Sequence, residues 1–296
     1  MHPVDVARVR MAVQGEMWRQ GHYTPLYRST LQSVWLVARY DGISGLYRGY
    51  LPGLFYRQVT HGIRLGMFQL FEDMGLTLDE NLEPSWRKSA VSGAICGGAG
   101  AFMGSPLQLI KCKLQIRSSP AIAVGHQHGL KTSWQVFTVM YSLYGIRRGI
   151  WRAATSNVLR LSIGSAVQMA AMIKYKAVFR VPNGDARDEL ITVVTASVAS
   201  SATSAPVISA LDMIKSRMYL QPVDNRGRGV YYDGILNCAR KIYSLDGMLG
   251  FLRGWNVAFT YTLLYSSITL VSWEEMKKLR KHPTHRRMSL ETYMYY

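Results

Sequence analysis

Residues 89–110, 190–211 and 254–273 each run without a single Asp, Glu, Lys or Arg. Residues 153–173 carry only Arg160, and residues 50–71 only Arg57 and Arg64. A helix needs about 20 mostly apolar residues to cross the hydrocarbon layer of a bilayer, so each of these stretches predicts a membrane-spanning helix. Residues 1–14 predict one more, shorter than the rest. Ser, Thr, Gly and Tyr recur in all of them, so a soluble helical repeat protein is the plainer alternative. Charge-free runs of this length argue against it. Between the long stretches, residues 29–39, 131–144 and 234–245 have amphipathic spacing and predict short helices lying on a membrane surface. Residues 181–187 and 221–228 are polar, turn-forming connections that need no function.

Small residues mark two of the long segments. Gly93 and Gly97, then Gly100 and Gly104, stand four apart, as do Ala196, Ser200 and Ser204. Such faces let helix backbones approach closely in lipid. Composition adds to this picture: the chain is 48% hydrophobic and only 18% charged, with 35 Lys and Arg against 18 acids, a formal charge of +17. A basic excess draws nucleic acid, anionic membranes or anionic solutes. Here the bases sit mainly at the ends of apolar segments and in the loops, which suits anionic lipid better than nucleic acid. Cys96, Cys112 and Cys238 are scattered and read as buried small hydrophobes, not as a disulfide framework or zinc site.

One octapeptide is written three times. Pro3-Val4-Asp5-Val6-Ala7-Arg8-Val9-Arg10 returns as Pro106-Leu107-Gln108-Leu109-Ile110-Lys111-Cys112-Lys113 and as Ala210-Leu211-Asp212-Met213-Ile214-Lys215-Ser216-Arg217. A second motif follows in register. Asp41-Gly42-Ile43-Ser44-Gly45-Leu46-Tyr47-Arg48-Gly49 recurs as Asp246-Gly247-Met248-Leu249-Gly250-Phe251-Leu252-Arg253-Gly254, and in the middle as a degraded Gly149-Ile150-Trp151-Arg152-Ala153. Repetition at a fixed period fixes the architecture before any local signal does. Within each octapeptide the acid or amide precedes a base by three positions, on one helix face, so an ion pair inside each helix is the simplest reading. Pro3 and Pro106 predict kinks, and Pro206 a displaced one.

These two motifs, three times over and spanning the whole chain, resemble the mitochondrial carrier family, solute carrier family 25. The loop Ile122-Ala123-Val124-Gly125-His126-Gln127 and the segment Gly62-Ile63-Arg64-Leu65-Gly66 resemble its oxaloacetate-carrier-like branch, which includes members 34 and 35. The resemblance implies an all-α membrane protein: three tandem two-helix repeats, forming a six-helix pseudo-threefold transmembrane bundle around a wet cavity, with short matrix-side helices. The repeats would occupy residues 1–80, 81–184 and 185–285, ahead of a polar tail at 286–296. Only Met1 and His2 precede Pro3, so the first helix is expected to be truncated. The location implied is the mitochondrial inner membrane, multi-pass, as a monomer, without a cleaved leader. The activity implied is exchange of a small anionic metabolite, a di- or oxo-carboxylate such as oxaloacetate. A carrier-like scaffold or lipid-binding protein that no longer transports is the alternative.

The resemblance also assigns residues. A matrix gate would close as a ring in which each repeat's acid meets the next repeat's base: Asp5 with Lys111, Gln108 with Lys215, and Asp212 with Arg8. Intramembrane charges are costly unless they pair or face water, so pairs that form and break suit a gate. A cytoplasmic gate would involve Gln69 with Lys176, and Glu274 and Lys277 in the Trp273-Glu274-Glu275-Met276-Lys277 copy. Glu72 and Ile173 spoil its other links, so this gate is expected to be weak and the resting state open towards the intermembrane space. Substrate contacts would fall on Tyr56 and Arg57, Arg160 and Leu161, and Tyr261 and Thr262. Arg160 is the strongest candidate, because a guanidinium holds carboxylates bidentately. Position 261 holds Tyr where carboxylate-transporting relatives carry Arg, and Arg57 and Arg64 are candidates to supply the missing charge. His61 and Tyr265 are read as packing. Cardiolipin would bind at Arg48, Gly49, Arg253, Gly254 and Gly234, where free N–H groups at helix starts face a phosphate. Nothing in the sequence forms a catalytic constellation, a cofactor motif or a metal site; His126-Gln127-His128 is too little for one.

Overall fold

The computed structural model describes residues 2–16, 24–78, 85–179 and 186–251, and all its regular structure there is helical. On the predicted spans lie α1 (His2–Val13), of 12 residues, and four longer helices, α3 (Tyr50–Asp73), α4 (Trp86–Ile116), α6 (Ala154–Phe179) and α7 (Ala186–Leu220). The short helices predicted by the spacing are α2 (Thr30–Leu46), α5 (Ser133–Gly145) and α8 (Ile235–Phe251), which follow α1, α4 and α7 in the chain. The apolar stretch at 254–273 lies outside the described residues. Two described helices are long and apolar enough to cross a membrane, Trp86–Ile116 and Val194–Leu220, with mean hydropathy 1.2 and 1.3.

Glycines set how closely α4 packs, on two sides rather than one. A Cβ on Gly97 would lie 2.6 Å from the Leu161 carbonyl oxygen of α6. One on Gly100 would lie 2.6 Å from the Thr60 carbonyl oxygen of α3. Gly93 shares the α6 side and Gly104 the α3 side, so the small-residue stripe wedges α4 between two neighbours. Ala196, Ser200 and Ser204 of α7 are likewise buried.

The prolines behave differently from one another. Pro3 sits in the first turn of α1. Pro106 lies deep inside α4 and leaves the Phe102 carbonyl without its usual N–H partner. Trp151 repairs this, its Nε1 donating to the Phe102 carbonyl at 3.2 Å. Pro206 lies inside α7, which runs on through Ala210.

The apolar core gathers at the C-terminal ends of α1, α4 and α7. Val9, Val13, Leu109, Cys112, Ile116, Tyr219 and Leu220 pack with Val136 and Met140 of α5. Met11 packs with Tyr27 and Val37 below α2, and Met213 and Met218 with Cys238 and Ile242 of α8. Each short helix thus seals the end of α1, α4 or α7. Their outer faces stay apolar and exposed, with Leu31 and Trp35, Trp134 and Leu143, and Leu236 and Met248 pointing away from the core. That is the pattern of a helix lying in a membrane interface. Thr132 caps α5 with a reciprocal Gln135 bond, a box that stabilises a helix start by about 1 kcal/mol.

The second repeat departs locally. Gly42, Gly145 and Gly247 all adopt positive φ, at 73°, 69° and 65°, so they are equivalent turn positions. From Gly145 to Ala153 there is one residue more than from Gly42 to Gly49. A single π turn, Ile146–Ile150, absorbs it. At its end Ala153 holds φ 60°, where Gly49 holds 75°.

Candidate functional site

The octapeptides meet where α1, α4 and α7 converge. Asp5 of α1 accepts from Lys111 of α4 at 3.3 Å, and Asp212 of α7 pairs with Arg8 of α1. Two of the three predicted inter-repeat links are therefore made. The third is not. Gln108 turns its amide to Cys112 Sγ at 3.1 Å in its own helix, and its carbonyl oxygen is buried without a partner. Lys215 reaches Asp212 three residues back, at 3.0 Å. A neutral amide offers a buried ammonium less than a carboxylate does, so the lysine takes the carboxylate.

Helices α3 and α6 contribute the remaining charge. Arg57 of α3 pairs with Asp5, and Arg160 of α6 holds Asp212 by both oxygens, Nε–Oδ1 at 2.9 Å and Nη2–Oδ2 at 3.2 Å. Two of the residues expected to hold cargo thus grip the acids expected to hold the gate, a connection the sequence did not reveal. Among the described residues five cationic groups share two carboxylates, a surplus of three positive charges. The Arg57 side chain is 35% exposed and that of Arg160 22%, so both can meet a solute. Arg64 donates to Ser165 Oγ at 3.4 Å, and His61 lies within electrostatic reach of Arg57, Arg64 and Arg160.

Other predicted contacts take packing positions. Tyr56 Oη donates to Asn157 Oδ1 at 3.1 Å, and Asn157 in turn donates to the Ala101 carbonyl at 3.0 Å, tying α3, α4 and α6 together. Leu161 is buried against Gly97. Tyr261 and Thr262 lie outside the described residues, as do Glu274, Lys277, Arg253 and Gly254. The Gln69–Lys176 link is not formed: Gln69 donates to Asp73 of its own helix at 3.0 Å, and Lys176 is exposed. One end of the bundle is tied by charge while the predicted pair at the other stands apart.

A second set of buried pairs lies beneath the ring, and the sequence reading quoted these residues without joining them. Arg10 bonds Asp41 at 2.8 Å, and Arg217 bonds Asp246 at 3.2 Å. In the first and third repeats the last base of the octapeptide therefore meets the acid of the Asp-Gly turn, a signal present in their common recurrence. Burial pushes the Asp41 carboxyl up, but hydrogen bonds from Arg10 and the Ser119 amide, with the charges of Arg10 and Arg48, hold it below the usual range. Arg48 also donates to the Arg117 carbonyl at 2.8 Å, which closes the end of α4. Gly49 precedes α3, where an added Cβ would lie 3.0 Å from the Lys111 carbonyl oxygen, and Gly234 precedes α8 with open space around it. Among the described residues no cluster of His, Cys, Asp and Glu could hold a metal ion.

Comparison with known proteins agrees with this geometry. The sequence model described as mitochondrial carrier protein matches residues 1–77, 83–182 and 187–283. The chain is similar to solute carrier family 25 member 35 of Mus musculus, 29% identical over 276 residues, covering 93% of this chain and 92% of the relative. It is also similar to the mitochondrial oxaloacetate transport protein of Saccharomyces cerevisiae, at 27% over 283 residues and 94% and 84% coverage. To mitochondrial citrate transporter E of Aspergillus niger it is 27% identical over 282 residues, covering 95% and 88%. Three matched segments, three copies of the charged octapeptide and the helical structure of the described residues place the protein in the mitochondrial carrier family.

Proposed function

We propose that the protein exchanges a small di- or oxo-carboxylate across the mitochondrial inner membrane by alternating access, as a multi-pass six-helix bundle. The observation that carries this reading is the grip of Arg160 and Arg57 on Asp212 and Asp5. A cargo carboxylate is chemically the same ligand as those side chains. Entering from the open end, it competes for the two guanidiniums, and each one it takes weakens the ring that closes the inner end. Cargo binding thereby lowers the barrier to opening, which an exchanger requires. The surplus of positive charge around the two acids draws the anion in. The names of the yeast and Aspergillus relatives, which transport oxaloacetate and citrate, fit this cargo class.

The positively disposed helix starts at Gly49 and Gly234 support cardiolipin binding on the matrix side, joined by Arg48, Arg253 and Gly254. A second reading, a membrane scaffold that does not transport, draws on Ala210 in place of proline and on the parted Gln69 and Lys176. Uptake of labelled oxaloacetate, malonate and sulfate into liposomes loaded with the same anions separates the two. Exchange of a carboxylate that disappears in Arg160→Ala supports the carrier. Silence with every anion, from protein that remains folded, supports the scaffold.

A further inference from the structure

In the first repeat the last cation of the octapeptide is neutralised from several sides. Arg10 bonds Asp41, Arg48 flanks the same carboxylate at 3.3 Å, and Tyr27 Oη accepts from Arg10 at 3.3 Å. The third repeat repeats this with Arg217, Asp246 and Tyr232. In the second repeat the cations remain and the acid is gone. Lys113 takes the place of Arg10, Arg152 that of Arg48 and Tyr144 that of Asp41, while Leu130 stands at the position of Tyr27, with His128 two residues before it. The π turn keeps Gly145 equivalent to Gly42, so the absence of a carboxylate is not a matter of register.

Lys113 is 3% exposed and Arg152 9% exposed, and among the described residues neither is paired with an Asp or Glu. Arg152 spends Nη2 on the carbonyls of Met218, Tyr219 and Gln221, while its Nε and Nη1 are buried without partners. Neither ring nitrogen of His128 makes a hydrogen bond of normal geometry. Lys113 lies within electrostatic reach of Arg152, His126 and His128. Buried cations without a counter-charge, and buried donors without acceptors, are both unstable arrangements in a protein interior.

We propose that Lys113, Arg152 and His128 form an oxyanion site, in which a carboxylate or phosphate from outside the chain takes the place that Asp41 and Asp246 hold in the other repeats. Burial, helped by the charge of Lys113, pushes the His128 imidazole down to about 4, so at neutral pH it offers an N–H rather than a third charge. The residues differ from those proposed to hold cargo, so the site stands apart from the transport reading. Its occupant can come from the solute pool or from a phospholipid headgroup.

The test is thermal unfolding of the purified full chain in detergent, with inorganic phosphate titrated against chloride at matched ionic strength. An Arg160→Ala background removes the central anion contact. Saturable stabilisation of about 5 °C is expected at high occupancy. Tyr144→Asp is expected to raise the melting temperature without phosphate and to abolish the response. Lys113→Met, which removes a charge without adding one, is expected to abolish it as well and decides the matter should Tyr144→Asp not fold. A response to cardiolipin alone, lost in the same variants, identifies the headgroup as the occupant. Stabilisation by neither source, or stabilisation that survives both substitutions, overturns the proposal.

Discussion

Arg160 meets Asp212 with two nitrogens on two oxygens, at 2.9 and 3.2 Å, across the contact between α6 and α7. The same carboxylate also holds Arg8 and Lys215, so it is the most heavily shared acid described in the molecule. This sharing makes the ring sensitive to any competing carboxylate.

Replacing Arg160 with Lys keeps the charge but loses the fork. Exchange in liposomes is expected to fall about tenfold, the equivalent of roughly 1.4 kcal/mol of lost bidentate geometry. Arg160→Ala is expected to abolish it. Unchanged rates in Arg160→Lys would show that point charge alone suffices.

Gln108→Glu restores a third acid to the ring, beside Lys111 and Lys215. It relieves part of the positive surplus, so the melting temperature is expected to rise by about 2–4 °C, near 1 kcal/mol. Exchange is expected to slow about fivefold as the closed end tightens. Faster exchange would show that closure does not limit the rate.

Ala153 carries a Cβ in a left-handed conformation, at φ 60°. Ala153→Gly is expected to stabilise the protein by about 1 kcal/mol, because the strain of the side chain at positive φ outweighs glycine's extra freedom when unfolded. A lower melting temperature for the variant would show that the methyl group packs usefully.

Glu16, just past α1, has its carboxyl pushed up to about 7 by burial, with Arg217 pulling the other way. The folded chain therefore holds this proton more tightly than the unfolded chain. Its contribution is complete below about pH 4.5 and is lost as pH rises through 7. Wild type is expected to lose on the order of 2 kcal/mol between pH 5 and 8 from this group, and Glu16→Gln is expected to flatten the profile. Parallel profiles for the two proteins would contradict this assignment.

The helices are legible in the charge-free runs, and the links Asp5–Lys111 and Asp212–Arg8 in the family resemblance that the recurring motifs carry. Arg57 and Arg160 were legible as intramembrane charges, but not as ligands of those acids, since motifs that describe cargo and closure separately give no reason to join them. Counting along α3 and α6 reached Tyr56 and Leu161, yet it could not tell which way each helix is turned. Gly97 and Gly104 decide that, by drawing Leu161 and Tyr56 into contact with α4. Gln108 escaped because its nearest acceptor, Cys112, lies on its own helix. The extra residue before Ala153 was countable, but its resolution as a π turn depends on local hydrogen bonding that spacing does not encode.

The indole of Trp151 sits where the backbone ladder of α4 is broken, standing in for the proton that Pro106 lacks. Because Trp151 belongs to the stretch leading into α6, the weak point of one helix is fastened to the root of the next. Bending of α4 about that proline is coupled to α6 through this bond and through Asn157, which donates to the neighbouring Ala101 carbonyl. The second repeat is therefore built to move as a hinged pair, with its two long helices sharing one joint.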